Sequence, residues 1–268
     1  MSFFEFNVSY SDEFLGPITR ASINNNEIEL VLDTGSSQVL VMSDHCKECK
    51  KHVRNKIKTE FFVTKPVRKI SYGSVSAETQ LKNFDISFNG HVFKSIPVNV
   101  VTKMKGTTCN ILGIGPSSTF WKAIGCRSFV WDQKGVIRCF KSAQQSFGGT
   151  SFPILRSTMF WIPHALIQIT FDDSSPTQQF SVDKIVIDSG THDSFLNVPN
   201  MSVSKKSIKQ FVFSNKTTTS PIFRGHVVQI NSKIIKNIFP FETVFVLGFK
   251  HFSQFSWIFN ETNIEIQS

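Results

Sequence analysis

Apolar and polar positions alternate along most of this chain in short runs, and few windows keep a helical period over ten residues. Runs at 3–9, 27–32, 39–42, 61–63, 84–88 and 98–102 read as strands in the first half. Those at 166–171, 184–187, 227–230, 244–247 and 257–259 do so in the second. Asn24-Asn25-Asn26 and Asn89-Gly90 supply turns between them. Only 118–124 and 203–211 read as short helices. The pattern predicts an all-β protein. A stretch rich in Gly, Ser and Gln at 144–151 is the least core-like segment near the middle, so the chain divides into lobes at 1–152 and 153–268.

Two of these strands end alike. Leu30-Val31-Leu32 delivers Asp33-Thr34-Gly35-Ser36, and Val186-Ile187 delivers Asp188-Ser189-Gly190-Thr191, 155 residues later. A lone Asp-Thr-Gly is usually a turn. Chance would supply on the order of 0.1 copies of Asp-[Ser/Thr]-Gly in such a chain, so two copies behind apolar runs indicate a duplication. Each is followed by an apolar-apolar-Gly segment, Ile111-Leu112-Gly113 and Val246-Leu247-Gly248. One carboxylate from each lobe, brought together, can activate water: like charges so close share one proton, leaving one base and one acid. This chemistry requires no metal and no cofactor.

Composition modifies the picture little. The 268 residues, 40% hydrophobic with 28 Phe, suffice for a core packed largely by aromatic rings. No apolar stretch is long enough for a transmembrane helix, and residues 1–10 read as a strand rather than a signal peptide. The net charge of +9 gathers at Lys47, Lys50, Lys51, Arg54, Lys56 and Lys58, then Lys65, Arg68 and Lys69. No nucleic-acid motif accompanies it, so a solvated loop is the expected reading and no nucleic-acid partner is expected. Among the five cysteines, Cys46 and Cys49 admit a local disulfide, free thiols, or, with His45 and His52, a crowded zinc site. His164, His192, His251 and Asp193 read as surface, packing or turn residues.

The paired motifs, with Tyr72-Gly73-Ser74 between them and Phe160-Trp161-Ile162-Pro163 before the second, resemble the pepsin-like aspartic proteases along nearly the whole chain. The resemblance implies a bilobal pepsin-like acid protease fold, here with a trimmed C-terminal lobe. Only 60 residues separate Asp188 from Gly248, against 80 between Asp33 and Gly113. It implies an aspartic endopeptidase, acting as a monomer on an extended polypeptide, at acidic pH and beside bulky hydrophobic residues. Asp33 and Asp188 would be catalytic. Thr34, Ser36 and Ser189 would support the site, with Thr34 and Ser189 reaching across to lock the two loops. Tyr72, Gly73, Ser74, Gly35, Gly190 and Thr191 would contact substrate, the first three from a flap hairpin. A secreted or acidic endomembrane location is expected from the family alone.

Several positions depart from the family pattern. Leu40 stands where a Trp is common, Val75 where the flap has a second Gly, and His192 where a small hydroxyl residue follows the second motif. With the short second half, they motivate an alternative, a pepsin-like binding protein without activity. The retained Asp, hydroxyl and Gly residues favour the enzyme.

Overall fold

The computed structural model describes residues 3–46, 49, 56–58, 67–72, 75–105, 109–143, 148–156, 159–173, 175–199 and 201–267. Two eight-stranded sheets, one from each half, and a six-stranded sheet drawn from both make up the fold. The N-terminal sheet runs, edge to edge, through Ser9–Ser11, Gly16–Ile23, Asn26–Asp33, Ile111–Gly113, Val39–Met42, His91–Lys105, Val75–Phe88 and Arg68–Tyr72. Its C-terminal counterpart runs through Leu155–Arg156, Phe160–Phe171, Gln178–Ile187, Val244–Leu247, Ser194–Asn197, Val227–Ile230, Ser204–Ser214 and Phe223–Arg224.

At the centre of each sheet the plan is the same. The strand leading to the Asp pairs in parallel with the Leu-Gly strand, Leu32 opposite Leu112 and Ile187 opposite Leu247. The Leu-Gly strand pairs antiparallel with Val39–Met42 in one half and Ser194–Asn197 in the other. Strands flanked on both sides and covered on both faces must be apolar throughout, and Val39–Met42 and Val244–Leu247 are buried at every position. The shorter second half keeps eight strands. Its longest hairpin among the described residues, Phe160–Phe171 with Gln178–Ile187, has arms of 12 and 10 residues, against 14 and 15 for Val75–Phe88 and His91–Lys105 in the first half.

The six-stranded sheet joins the halves. Its order is Phe4–Asn7, Val136–Phe140, Ser128–Trp131, Ser256–Phe259, Asn263–Gln267 and Thr150–Pro153, so first-half and last strands hydrogen-bond directly. Aromatic rings fill the junction: Phe129 stacks on Phe259 at 4.5 Å, Phe160 lies 4.6 Å from Phe259, and Phe252 stacks on Trp257 at 4.9 Å. Such pairs add to simple area burial, which suits a chain richer in Phe than in any other aromatic residue.

The helix expected at 118–124 forms as Thr119–Ile124, capped by the Ser118 hydroxyl accepting from Trp121 N and ended by Gly125 with φ 74°. The one expected at 203–211 is instead the strand Ser204–Ser214. Ile208 and Phe211, three apart, are both buried, which imitates a helical face. A β-bulge produces that spacing: Phe171 pairs with Ile208 and Thr170 with Gln210, so Lys209 is the extra residue and the inward phase shifts by one. The run at 61–63 lies outside the described residues. No helix among the described residues is long and apolar enough to cross a membrane.

Candidate active site

Asp33 closes the strand Asn26–Asp33, and Asp188 directly follows Gln178–Ile187. Their backbones are fixed by the neighbouring strand: Ile114 N donates to Asp33 O at 2.8 Å, and Asp188 N donates to Leu247 O at 3.1 Å. Each chain then turns tightly, Ser36 N donating to Asp33 O and Thr191 N to Asp188 O. The turns meet where the halves face each other.

Two buried hydroxyls bind the loops together. Thr34 Oγ1 donates to Ile187 O at 2.9 Å and accepts from Ser189 N at 2.9 Å. Ser189 Oγ donates to Leu32 O at 2.8 Å and accepts from Thr34 N at 3.0 Å. Four backbone groups at the ends of interior strands are thereby satisfied in a place water does not reach. Apolar side chains at 34 and 189 would leave them unpaired.

Glycine is required at 35 and 190 by closeness rather than by φ. A Cβ on Gly35 would lie 2.8 Å from Asp188 Cγ, and one on Gly190 would lie 2.7 Å from Asp33 Cγ. Each glycine makes room for the other half's carboxyl. Each also donates to its own: Gly35 N to Asp33 Oδ1 at 2.7 Å, and Gly190 N to Asp188 Oδ1 at 3.1 Å. Thr191 Oγ1 adds a donor to Asp188 Oδ2 at 2.7 Å. The corresponding Ser36 Oγ is buried near Asp33 and lowers its pKa, but has no partner at hydrogen-bonding geometry.

The carboxyls of Asp33 and Asp188 crowd the same spot, for a Cβ on Gly35 would lie 2.8 Å from Asp188 Oδ1 and 3.1 Å from Asp33 Oδ1. Burial, then the charge of Asp188, holds Asp33 well above the ordinary carboxylate range, against smaller opposing contributions from Ser36 and Gly35. Both residues are half-buried. Such a pair can hold one proton and one charge at the same pH.

The flap residues are described in part. Tyr72 ends the strand Arg68–Tyr72 and pairs with Val75; its side chain, Gly73 and Ser74 lie outside the described residues. Leu40 is fully buried in an apolar cluster with Met42, Ala77, Val101 and Met104, and so presents no polar group there. Cys46 and Cys49 are joined in a disulfide in the same cluster. His192 lies partly exposed beside Asp188's loop, its Nδ1 3.5 Å from the Tyr10 hydroxyl of the other half. Asp193 turns away to Gln229, Lys250 and Lys205. His251 is buried and His164 is exposed.

Two contributors escaped the sequence reading. Asn110 is buried between strands, its Oδ1 accepting from Met42 N at 2.8 Å and its Nδ2 donating to Glu29 O at 3.2 Å. A polar residue immediately before the apolar Ile111-Leu112 was its only signal. Cys109 lies close enough to Asp33 to feel its charge, a proximity created by the sheet across 76 residues of chain.

Residues 14–139 match the family described as Eukaryotic aspartyl protease. No curated protein shows a significant match to the chain. The matched segment is the half that carries Asp33, the second half repeats its strand plan around Asp188, and in both respects the chain is similar to the eukaryotic aspartyl proteases.

Proposed function

We propose that this protein is an aspartic endopeptidase in which Asp33 and Asp188 jointly activate a water molecule. The observation that carries the reading is the pair itself: two carboxyls from separate halves, each close against the other half's glycine, with Asp33 raised by burial and by its partner's charge. One shared proton makes the pair a base and an acid together. The ionised member takes a proton from water as it attacks the scissile carbonyl, and the protonated member polarises the carbonyl oxygen. The proton gained then passes to the leaving amine, restoring the pair. The two carboxyls titrate as a unit, so neither is assigned the proton.

Thr34 and Ser189 act as positioning residues, since they hold the loops and touch neither carboxyl. Thr191 and Ser36 orient the charges, and Gly35 and Gly190 leave space for the water and the reacting bond. The substrate is an extended polypeptide. It lies along the hairpin tip at Tyr72, Gly73 and Ser74, whose backbone pairs with it as an added strand would. Bulky hydrophobic side chains flank the cut bond, and the reaction runs in mild acid. The lobes divide at 152/153, and the enzyme works as a monomer in a secreted or acidic endomembrane setting.

The test is cleavage of a quenched peptide with a Phe-Phe centre across about pH 3 to 7. Wild type runs beside Asp33→Asn and Asp188→Asn, with and without a statine-type mimic. Cleavage by wild type alone, blocked by the mimic, is the expected result. Folded wild type that cuts nothing in a broad peptide library would replace this reading with a binding protein, for which buried Leu40 and the short second half are the motives.

A further inference from the structure

A ring of the first half rests on a ring of the second beside the Asp188 loop. Tyr10, in the edge strand Ser9–Ser11 of the N-terminal sheet, stacks on Phe249 with centroids 5.9 Å apart and planes 11° from parallel. Its hydroxyl comes within 3.5 Å of His192 Nδ1. Both partners are tied to the loop, for Phe249 N donates to Thr191 O at 2.7 Å and Lys250 N donates to His192 O at 3.2 Å. Thr191 Oγ1 in turn donates to Asp188 Oδ2 at 2.7 Å. Three contacts therefore lead from Tyr10 to Asp188: ring on ring, N–H to carbonyl, hydroxyl to carboxyl.

Neither core filling nor strand pairing asks for an aromatic ring at this position. Tyr10 is 46% exposed, and its strand is held by backbone pairing with Pro17 and its neighbours. The element it touches does need support. Phe249–Phe252 is a single helical turn whose N-cap, Gly248, supplies no side-chain acceptor, so the Phe249 N–H is satisfied by Thr191 O instead. A turn so short is oriented by what packs on it. If Phe249 shifts, it carries Thr191 with it, and a hydrogen bond of 2.7 Å to Asp188 tolerates little displacement.

We propose that Tyr10 is a positioning residue for Asp188, holding Phe249, and through it Thr191, from the opposite half. The proposal rests on the peptidase reading and deepens it. The ring is the part that acts, since the hydroxyl contact at 3.5 Å is the weaker of the two. Tyr10→Ala and Tyr10→Phe, assayed on the Phe-Phe peptide at one mildly acidic pH, test it. Tyr10→Ala should lower kcat about tenfold and leave KM within about twofold, because Asp188 is misplaced while the binding surface stays. Tyr10→Phe should keep the wild-type kcat. In a Phe249→Leu background, where no ring remains to stack on, Tyr10→Ala should change kcat by less than about twofold. An unchanged kcat in Tyr10→Ala, an effect on KM alone, or equal losses in Tyr10→Ala and Tyr10→Phe would each overturn the proposal. A second readout does not need cleavage. In chain labelled with aspartate ¹³Cγ, the Asp188 resonance, assigned by its absence from Asp188→Asn, should move in Tyr10→Ala and stay in place in Tyr10→Phe. The same resonance in all three proteins would overturn the positioning role even if wild type cuts nothing, whereas wild type that cuts nothing while the resonance moves would overturn the peptidase reading alone.

Discussion

Acid should weaken this fold through one imidazole. His251 lies in the short helix Phe249–Phe252 just after Gly248 and is fully buried. Its Nε2 is 2.9 Å from Gly225 O, and its Nδ1 is 2.8 Å from Ser194 Oγ, which accepts from Gly248 N at 3.0 Å. Since a carbonyl only accepts, this network assigns the proton to Nε2, and Nδ1 then accepts from the Ser194 hydroxyl. The neutral ring is fully satisfied. A second proton on Nδ1 would meet a hydroxyl already aimed at it, with Phe211 edge-on at 4.9 Å and His226 at 5.4 Å. Burial first, with smaller contributions from His226 and Lys250, lowers the pKa from 6.5 to about 4, although the Gly225 carbonyl and Asp193 oppose this.

The stability consequence has a definite sign. Above 6.5 the ring is neutral in both states and contributes no pH dependence. Between 6.5 and about 4 the unfolded chain takes the proton and the folded chain does not, so stability falls as pH falls. Below about 4 the loss is complete. At 1.36 kcal/mol per pH unit it amounts to about 3 kcal/mol, a large part of a typical domain's stability. Urea unfolding of wild type and His251→Gln between about pH 7 and pH 4 isolates it. The variant starts lower, by about 1–3 kcal/mol for the broken network, but does not titrate at this position. Every other group titrates in both proteins, so the gap between them should shrink by about 3 kcal/mol, or reverse, towards pH 4. Parallel curves would refute the reasoning.

Four further outcomes are expected. Gly35→Ala and Gly190→Ala should force the carboxyls apart and cut kcat/KM about 100-fold or more; an unchanged rate in either would contradict the close approach of 2.7–2.8 Å. Thr34→Val and Ser189→Ala should each cost about 2–4 kcal/mol in urea unfolding. Because both hydroxyls hold the same two loops together, the double variant should lose less than the sum. Cys109, pushed up to about 12 by burial and then by the Asp33 charge, should react with iodoacetamide at pH 8 about a thousandfold more slowly than an open thiol. Asp33→Asn should speed that reaction, as peptide mapping by mass spectrometry would show. The alkaline limb of the pH–rate profile should lie above the ordinary carboxylate range, because losing the shared proton removes the acid; a limb near pH 4 would count against the raised pair.

The site was legible where chemistry demands residue types within a few positions of each other. A carboxyl facing another loop needs glycine two residues on, and a loop bonded through its backbone to its twin needs a hydroxyl between; Asp33-Thr34-Gly35 and Asp188-Ser189-Gly190 state both needs in three letters. Strands were legible where one face is buried or the run is wholly apolar. The segment at 203–211 was not, because the bulge at Lys209 depends on the register of a distant partner strand. Asn110, Cys109 and the Ser194–His251 pair escaped for a related reason: their partners lie tens of residues away and only the sheets bring them together.

Repetition in sequence also conceals a difference in environment. The two halves carry the same motif, yet their carboxyls are not equivalently held. Asp188 takes Gly190 N–H and the Thr191 hydroxyl, whereas Asp33 takes Gly35 N–H beside a Ser36 hydroxyl that makes no bond of its own. Burial also raises Asp33. The two carboxyls titrate as a unit, and these unequal surroundings act on that shared titration. Ser36→Thr, which restores the residue type of the other half, is therefore the substitution most suited to shift it: a hydroxyl brought into bonding reach of Asp33 would lower that carboxyl and move the alkaline limb of the pH–rate profile down. An unchanged limb in a folded, active Ser36→Thr protein would show that burial alone sets the pair.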